Sequence, residues 1–175
     1  MSYPTFDAKR ALNKCLSGAK FKGTFINHNE AEYNALDWLD LRPKPEWLDV
    51  EQAGLTLLRR RIADNLNERT NYAIVNEYEW SKYPGVKVNA YLEWQFNLSE
   101  LYGSRTLLTY PYRLKVNEDT QATTVYYEVT TVEEWDALYM SLFSFIQGWL
   151  QSGRDLKDSL VGMTRTQLEE FRDLR

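Results

Sequence analysis

One cysteine and one histidine in 175 residues exclude most site chemistry at the outset. Cys15 alone cannot form an internal disulfide and points to a reducing or redox-indifferent compartment. His28 alone leaves no His-based metal cluster and no triad with a second orienting histidine. The eight glycines are scattered singly, so no Gly-rich loop is present to cradle a phosphate. The longest apolar stretches are amphipathic, and no membrane span is expected. Met1-Ser2-Tyr3-Pro4 leads into a charged segment without an apolar core, so no signal peptide is expected and synthesis in the cytoplasm is. Charge of one sign is also scarce. The 25 acids and 21 bases, net −4, are mixed along the chain, which fits neither a nucleic-acid-binding surface nor a DNA mimic.

Aromatics are abundant: 6 Trp, 12 Tyr and 7 Phe. Such rings build a core or, as the alternative, an exposed interface. The stretch around which the chain is organised is residues 130–151. Thr131 and Glu134 form a capping pair at its start. Behind them Trp135, Leu138, Tyr139, Leu142, Phe145, Ile146, Trp149 and Leu150 recur at helical spacing on one side. That face must cover a sheet, other helices or a partner chain.

The expected fold class is α+β. An N-terminal appendage of short elements and a Trp/Pro strap (1–48) precedes a domain (49–175) of a small antiparallel sheet packed by helices, with a helical C-terminus. In the appendage, Asp7 caps a helix to about Ser17, with Ala11, Leu12, Cys15 and Leu16 on one face, and Gly18 ends it. Residues 21–26 read as a strand. Asn29 and Glu32 cap a short helix presenting Tyr33, Leu36 and Leu39. Pro43 and Pro45 forbid helix in the strap, which Trp38 and Trp47 flank, so the strap reads as a linker or docking element.

In the domain, Asp49 and Gln52 cap a helix over 50–68 carrying Arg59, Arg60 and Arg61. These read as a solvated face making ion pairs, with phosphate contact as the alternative. Residues 71–80 alternate as a strand with Tyr72, Ile74, Tyr78 and Trp80 on one face. After a Pro84-Gly85 turn, residues 86–88 pair back. A helix runs from Asn89 to Gly103 with Tyr91, Trp94, Leu98, Leu101 and Tyr102 on its stripe. Residues 105–116 and 123–129 form a hairpin, interrupted by Pro111, with a loop at 117–122. Gly153 breaks the organising helix. A short helix with Leu156 and Leu160 follows, and Thr166 with Glu169 caps the last one.

No reactive constellation emerges. Cys15 and His28 sit in the appendage, and Cys15 on an apolar face reads as a buried structural residue. The carboxylate pairs Asp37/Asp40, Glu133/Glu134 and Glu169/Glu170 occupy linker and helix-start positions. The Asn97-Leu98-Ser99 sequon lies mid-helix. No catalytic residue, cofactor or metal is expected.

The segment from Trp38 to Asp49, WLDLRPKPEWLD, resembles a tryptophan–proline strap that recurs in small phage tail-region proteins. Residues 55–173 resemble a phage domain of unknown function found near or within tail fibres. Its order is helix, aromatic strand and turn, helix, hairpin, a T-x-E-E-W helix, a short L-K-x-x-L helix and a final T-x-x-Q-L-E-x-F helix. This chain departs from that pattern in a longer, more aromatic sheet region at 107–129. The resemblance implies a non-enzymatic virion protein of the tail, baseplate or tail-fibre region. It would bind other tail or fibre proteins in an oligomeric assembly, without nucleic acid or membrane, and Trp38, Pro43, Pro45 and Trp47 are the expected partner-binding residues. Two alternatives stay open: a tail-fibre assembly chaperone absent from the mature virion, and an anti-defence inhibitor of a host effector.

Overall fold

The computed structural model describes residues 3–118 and 124–175. It is α+β, with two small antiparallel two-stranded sheets among six α-helices in the described residues. The chain divides into two compact units, residues 1–66 with 156–175, and residues 67–155. The expected appendage 1–48 falls within the first unit, together with 49–66 and the C-terminal elements.

In the first unit, α1 (Ala8–Cys15) begins where the Asp7 carboxylate accepts the Arg10 N–H at 2.9 Å. Ala8, Ala11 and Leu12 are buried, but Cys15 is exposed, contrary to expectation. It occupies the final turn, where its thiol donates to the Asp49 carbonyl at 3.5 Å. The expected strand over 21–26 is reduced to β1 (Phe21–Lys22), because Gly23 at φ 123° leaves extended geometry. A side chain at Gly23 would meet Leu36. β1 pairs with β2 (Asp37–Trp38), so the strap begins as a strand.

α2 (Glu30–Asn34) is capped by Asn29, whose side chain accepts the Glu32 N–H, as expected. The Glu32 carboxylate in turn accepts the N–H groups of Ile26, Asn27 and His28. Tyr33 and Leu36 are buried, whereas Leu39 is exposed.

α3 (Trp47–Asn76) starts before the expected 50–68 helix and ends after it. Asp49 lies inside its first turn, beside the positive end of the helix dipole. Among the described residues Arg59 makes no ion pair of the kind expected; it donates to the carbonyls of Leu160 and Met163. Gly54 admits the Phe6 ring, since a Cβ there would lie 2.6 Å from Phe6 Cζ.

The C-terminus differs in two ways. Gly153 does not break the helix. It is buried within α5 (Val132–Ser159), where one glycine costs about 1 kcal/mol, too little to stop a helix of that length. A 3-10 turn (Leu160–Gly162) then leads to α6 (Arg165–Glu170), capped by Thr164 and Gln167 rather than by Thr166 and Glu169. Glu169 is committed elsewhere, accepting the Phe6 N–H at 3.1 Å.

In the second unit, the expected strand over 71–80 is corrected. α3 runs through Asn76, because Leu66, Thr70, Ala73 and Ile74 continue the buried helical stripe. Tyr72, expected to face the core, is exposed. Residues 86–88 do pair back, at one isolated bridge among the described residues: Glu79 pairs with Lys87, and the Val88 N–H donates to the Tyr78 carbonyl at 2.9 Å. α4 (Leu92–Gly103) starts three residues after Asn89, because the Asn89 and Ala90 N–H groups are held by the carbonyls of Val116 and Val75.

Arg105–Leu107 forms a 3-10 turn instead of a strand. The hairpin of β3 (Tyr112–Glu118) and β4 (Thr124–Val129) follows, with a register shift between Lys115 and Asn117. Of its expected loop, residues 119–122 lie outside the described residues. α5 lays Trp135, Leu138 and Leu142 against Leu114, Val116, Tyr127 and Val129 of the hairpin. Tyr139, Phe145 and Ile146 are partly buried on the same cluster. The Tyr127 hydroxyl accepts the Trp80 N–H and donates to the Val86 carbonyl, so its burial leaves no polar group idle.

Candidate functional site

The expected partner-binding residues lie in the strap, which is fastened to its own unit. Trp38 packs, partly buried, against the cluster of Ala11, Leu12, Tyr33, Leu36 and Val50, and its indole donates to the Arg42 carbonyl at 2.9 Å. Arg42 returns to Asp40 through a 2.7 Å ion pair and donates to the Ser17 carbonyl. That guanidinium and the Arg42 and Lys20 N–H groups hold the Asp40 carboxyl well below the usual carboxylate range. Lys44 donates to the Tyr33 carbonyl at 2.7 Å, and the Tyr33 hydroxyl donates to the Pro45 carbonyl. Trp47 opens α3 and packs against both Phe6 and Tyr33. Pro43 is exposed and Pro45 half-buried.

What the strap turns outward is aliphatic. Leu41 is fully solvent-exposed at 103%, Leu48 at 63% and Leu39 at 47%. The two tryptophans are the inner, partly buried anchors. Three exposed leucines within ten residues are costly in water, and the tryptophan–proline pattern of the strap does not single them out. The signal was present in Trp38-Leu39-Asp40-Leu41: in extended chain, alternate residues face opposite ways. Once Trp38 turns in, Leu39 and Leu41 turn out.

The second unit carries a cleft of about 490 Å³ between α4 and β3. Trp94 and Leu98 form its apolar wall; Asn89, Asn97, Arg113 and Lys115 are its polar lining. The Trp94 indole donates to the Lys115 carbonyl at 2.8 Å, which fixes one edge of the cleft.

The residues considered for chemistry are not assembled. Among the described residues no hydrogen bond joins Cys15 to His28. His28 Nδ1 accepts the Ala8 N–H at 3.1 Å, and its carbonyl accepts from Arg165 at 2.7 Å. Although Cys15 is largely exposed, partial desolvation where its thiol meets α3, and then the Asp49 charge, push the thiol up, away from the reactive thiolate. Glu134 serves the start of α5. Its N–H is accepted by Thr131 Oγ1, while its carboxylate accepts from Lys82 and the Thr130 N–H. Among the described residues no group of His, Cys, Asp and Glu could hold a metal ion, and no helix is long and apolar enough to cross a membrane.

No protein family matches this chain, and neither a curated protein nor a solved structure does.

Proposed function

We propose that this chain is a non-enzymatic bacteriophage virion protein of the tail, baseplate or tail-fibre region, docking on other tail proteins through its strap. The reading rests on the strap's sequence resemblance and, above all, on one observation: a fastened strap that turns Leu39, Leu41 and Leu48 to solvent. Docking would bury these leucines at roughly 1.5–3 kcal/mol each. Because internal hydrogen bonds already hold the strap, little further ordering opposes binding. Trp38, Pro45 and Trp47 then act as the frame, and Pro43 with the leucines as the contact face.

The test is the doubly substituted chain Leu41→Glu, Leu48→Glu. It folds as the wild type does, by circular dichroism, and is lost from purified particles. Retention of the substituted chain in particles at wild-type copy number contradicts docking through the strap.

A further inference from the structure

We propose that His28 is an acid-sensitive latch, which holds the start of α1 to the loop at 26–32 and lets it go when the ring is protonated. This goes beyond the strap reading and uses none of the strap's residues.

Three segments of the first unit meet at this residue. His28 has a φ of 53°, in the left-handed region, and its ring stacks on Phe25 with 6.0 Å between centroids. Nδ1 accepts the Ala8 N–H at 3.1 Å, so the neutral ring carries its proton on Nε2. Ala8 is the first residue of α1 and is buried. Its N–H is one of the orphan donors of a helix start, and Nδ1 is the acceptor that satisfies it. A circuit of bonds returns through the C-terminus. The Phe6 N–H donates to Glu169, Glu169 pairs with Arg165 at 3.2 Å, and Arg165 donates to the carbonyls of His28 and Asn27.

Protonation opens the circuit at one point. An imidazolium has donors on both nitrogens and no lone pair left for the Ala8 N–H. It also places a positive charge at the positive end of α1, on the residue whose carbonyl already takes Arg165 at 2.7 Å. The carboxylates on the surrounding elements are bonded elsewhere. Asp7 caps α1 by accepting the Arg10 N–H, Glu32 accepts the N–H groups of residues 26–28, and Glu169 takes Phe6 and Arg165. Glu30 is exposed, and no hydrogen bond joins it to the ring. Histidine is the side chain that changes charge between about pH 8 and 5, while carboxylates do so near about pH 4. Loss of the Ala8 bond therefore precedes any acid weakening of the carboxylate contacts around it.

Hydrogen exchange at the Ala8 amide, corrected for the intrinsic effect of pH, reads the latch in the full chain. Protection is expected to fall about tenfold between about pH 7.5 and 5.5 as the ring resonances of His28 titrate. His28→Asn is the discriminating variant. Asparagine tolerates left-handed backbone and offers an amide oxygen close to where Nδ1 lies, but it does not titrate. Its Ala8 protection should be equal at the two pH values. Nitrogen-15 shifts of the wild-type ring at about pH 7.5 should place the proton on Nε2, a readout that needs no variant to fold. Three results overturn the proposal: a proton on Nδ1 at that pH, Ala8 protection that stays constant while the ring titrates, or an equal fall in His28→Asn, which assigns the loss to the carboxylates.

Discussion

Trp38 donates its indole N–H to the carbonyl of Arg42, closing the first turn of the strap over 2.9 Å. That bond places a tryptophan inside and leaves Leu41, between the two residues, wholly in water. The strap therefore has an inner and an outer face with separable consequences.

Substitution of the inner face damages the fold. Trp47 touches Phe6 and Tyr33 and joins two apolar clusters. Trp47→Ala should cost about 3 kcal/mol, read as a lower denaturant midpoint with loss of partner binding. Leu41→Ala should leave the midpoint within about 0.5 kcal/mol. Equal effects of the two changes would show that the strap has no inner face.

Gly54 is a second structural requirement. The Phe6 ring is 1% exposed and lies where a Cβ on residue 54 would go. Gly54→Ala gains helix propensity but overpacks that contact, for a net destabilisation of about 1–2 kcal/mol. A rise in melting temperature in the variant would show that Phe6 can move aside.

His28 and Cys15 should behave as structural residues of unequal weight. His28→Ala leaves the Ala8 N–H without its acceptor and should cost about 1–2 kcal/mol. Cys15→Ala, at an exposed thiol, should be silent in both stability and particle incorporation. Loss of incorporation in a folded Cys15→Ala chain would revive a chemical role for the thiol.

Two tyrosines set the alkaline limit. Burial pushes Tyr33 and Tyr78 up to about 12, from an ordinary value of 10.0. Because these pKa values are raised in the folded chain, the associated stability is full below pH 10 and is lost as pH rises towards 12. Ultraviolet titration should show tyrosine ionisation delayed into that window and coincident with unfolding. Complete ionisation near pH 10 with the fold intact would contradict the burial of both rings.

The acid limit has the opposite sign. Hydrogen bonds from Lys82 and the Thr130 N–H hold the Glu134 carboxyl below its ordinary 4.5, and N–H groups of residues 26–28 lower Glu32. Stability from these groups is present above about pH 4.5 and is lost as pH falls through the lowered values. Glu134→Gln should flatten the acid side of the stability profile. An unchanged profile would show that the Lys82 and Thr130 bonds contribute nothing.

Some local signals were legible in the sequence, although the caps expected at Asp49 and Thr166 were misplaced, and tertiary signals were not legible. The Asn29–Glu32 and Thr131–Glu134 starts depend on neighbours three residues apart, and both form. Residues 71–80 misled because Tyr78 and Trp80 do alternate into the core, while Ala73 and Ile74 extend the helical stripe from Leu66. Both periods fit so short a run, and continuation of an existing helix won. Gly153 misled because a glycine slows a helix without ending it. The inward turn of Trp38 depends on the cluster that includes Leu12 and Tyr33 and on the Phe21 pairing, none of which local pattern could locate.

The most direct test of a docked virion component is quantitative mass spectrometry of salt-washed particles from a phage encoding this chain, with the wild type beside Leu41→Glu, Leu48→Glu. The account predicts a fixed copy number alongside tail proteins for the wild type and its loss for the substituted chain. Absence of the wild-type chain from particles, with abundant folded protein in infected cells, would contradict it and favour an assembly chaperone or an inhibitor.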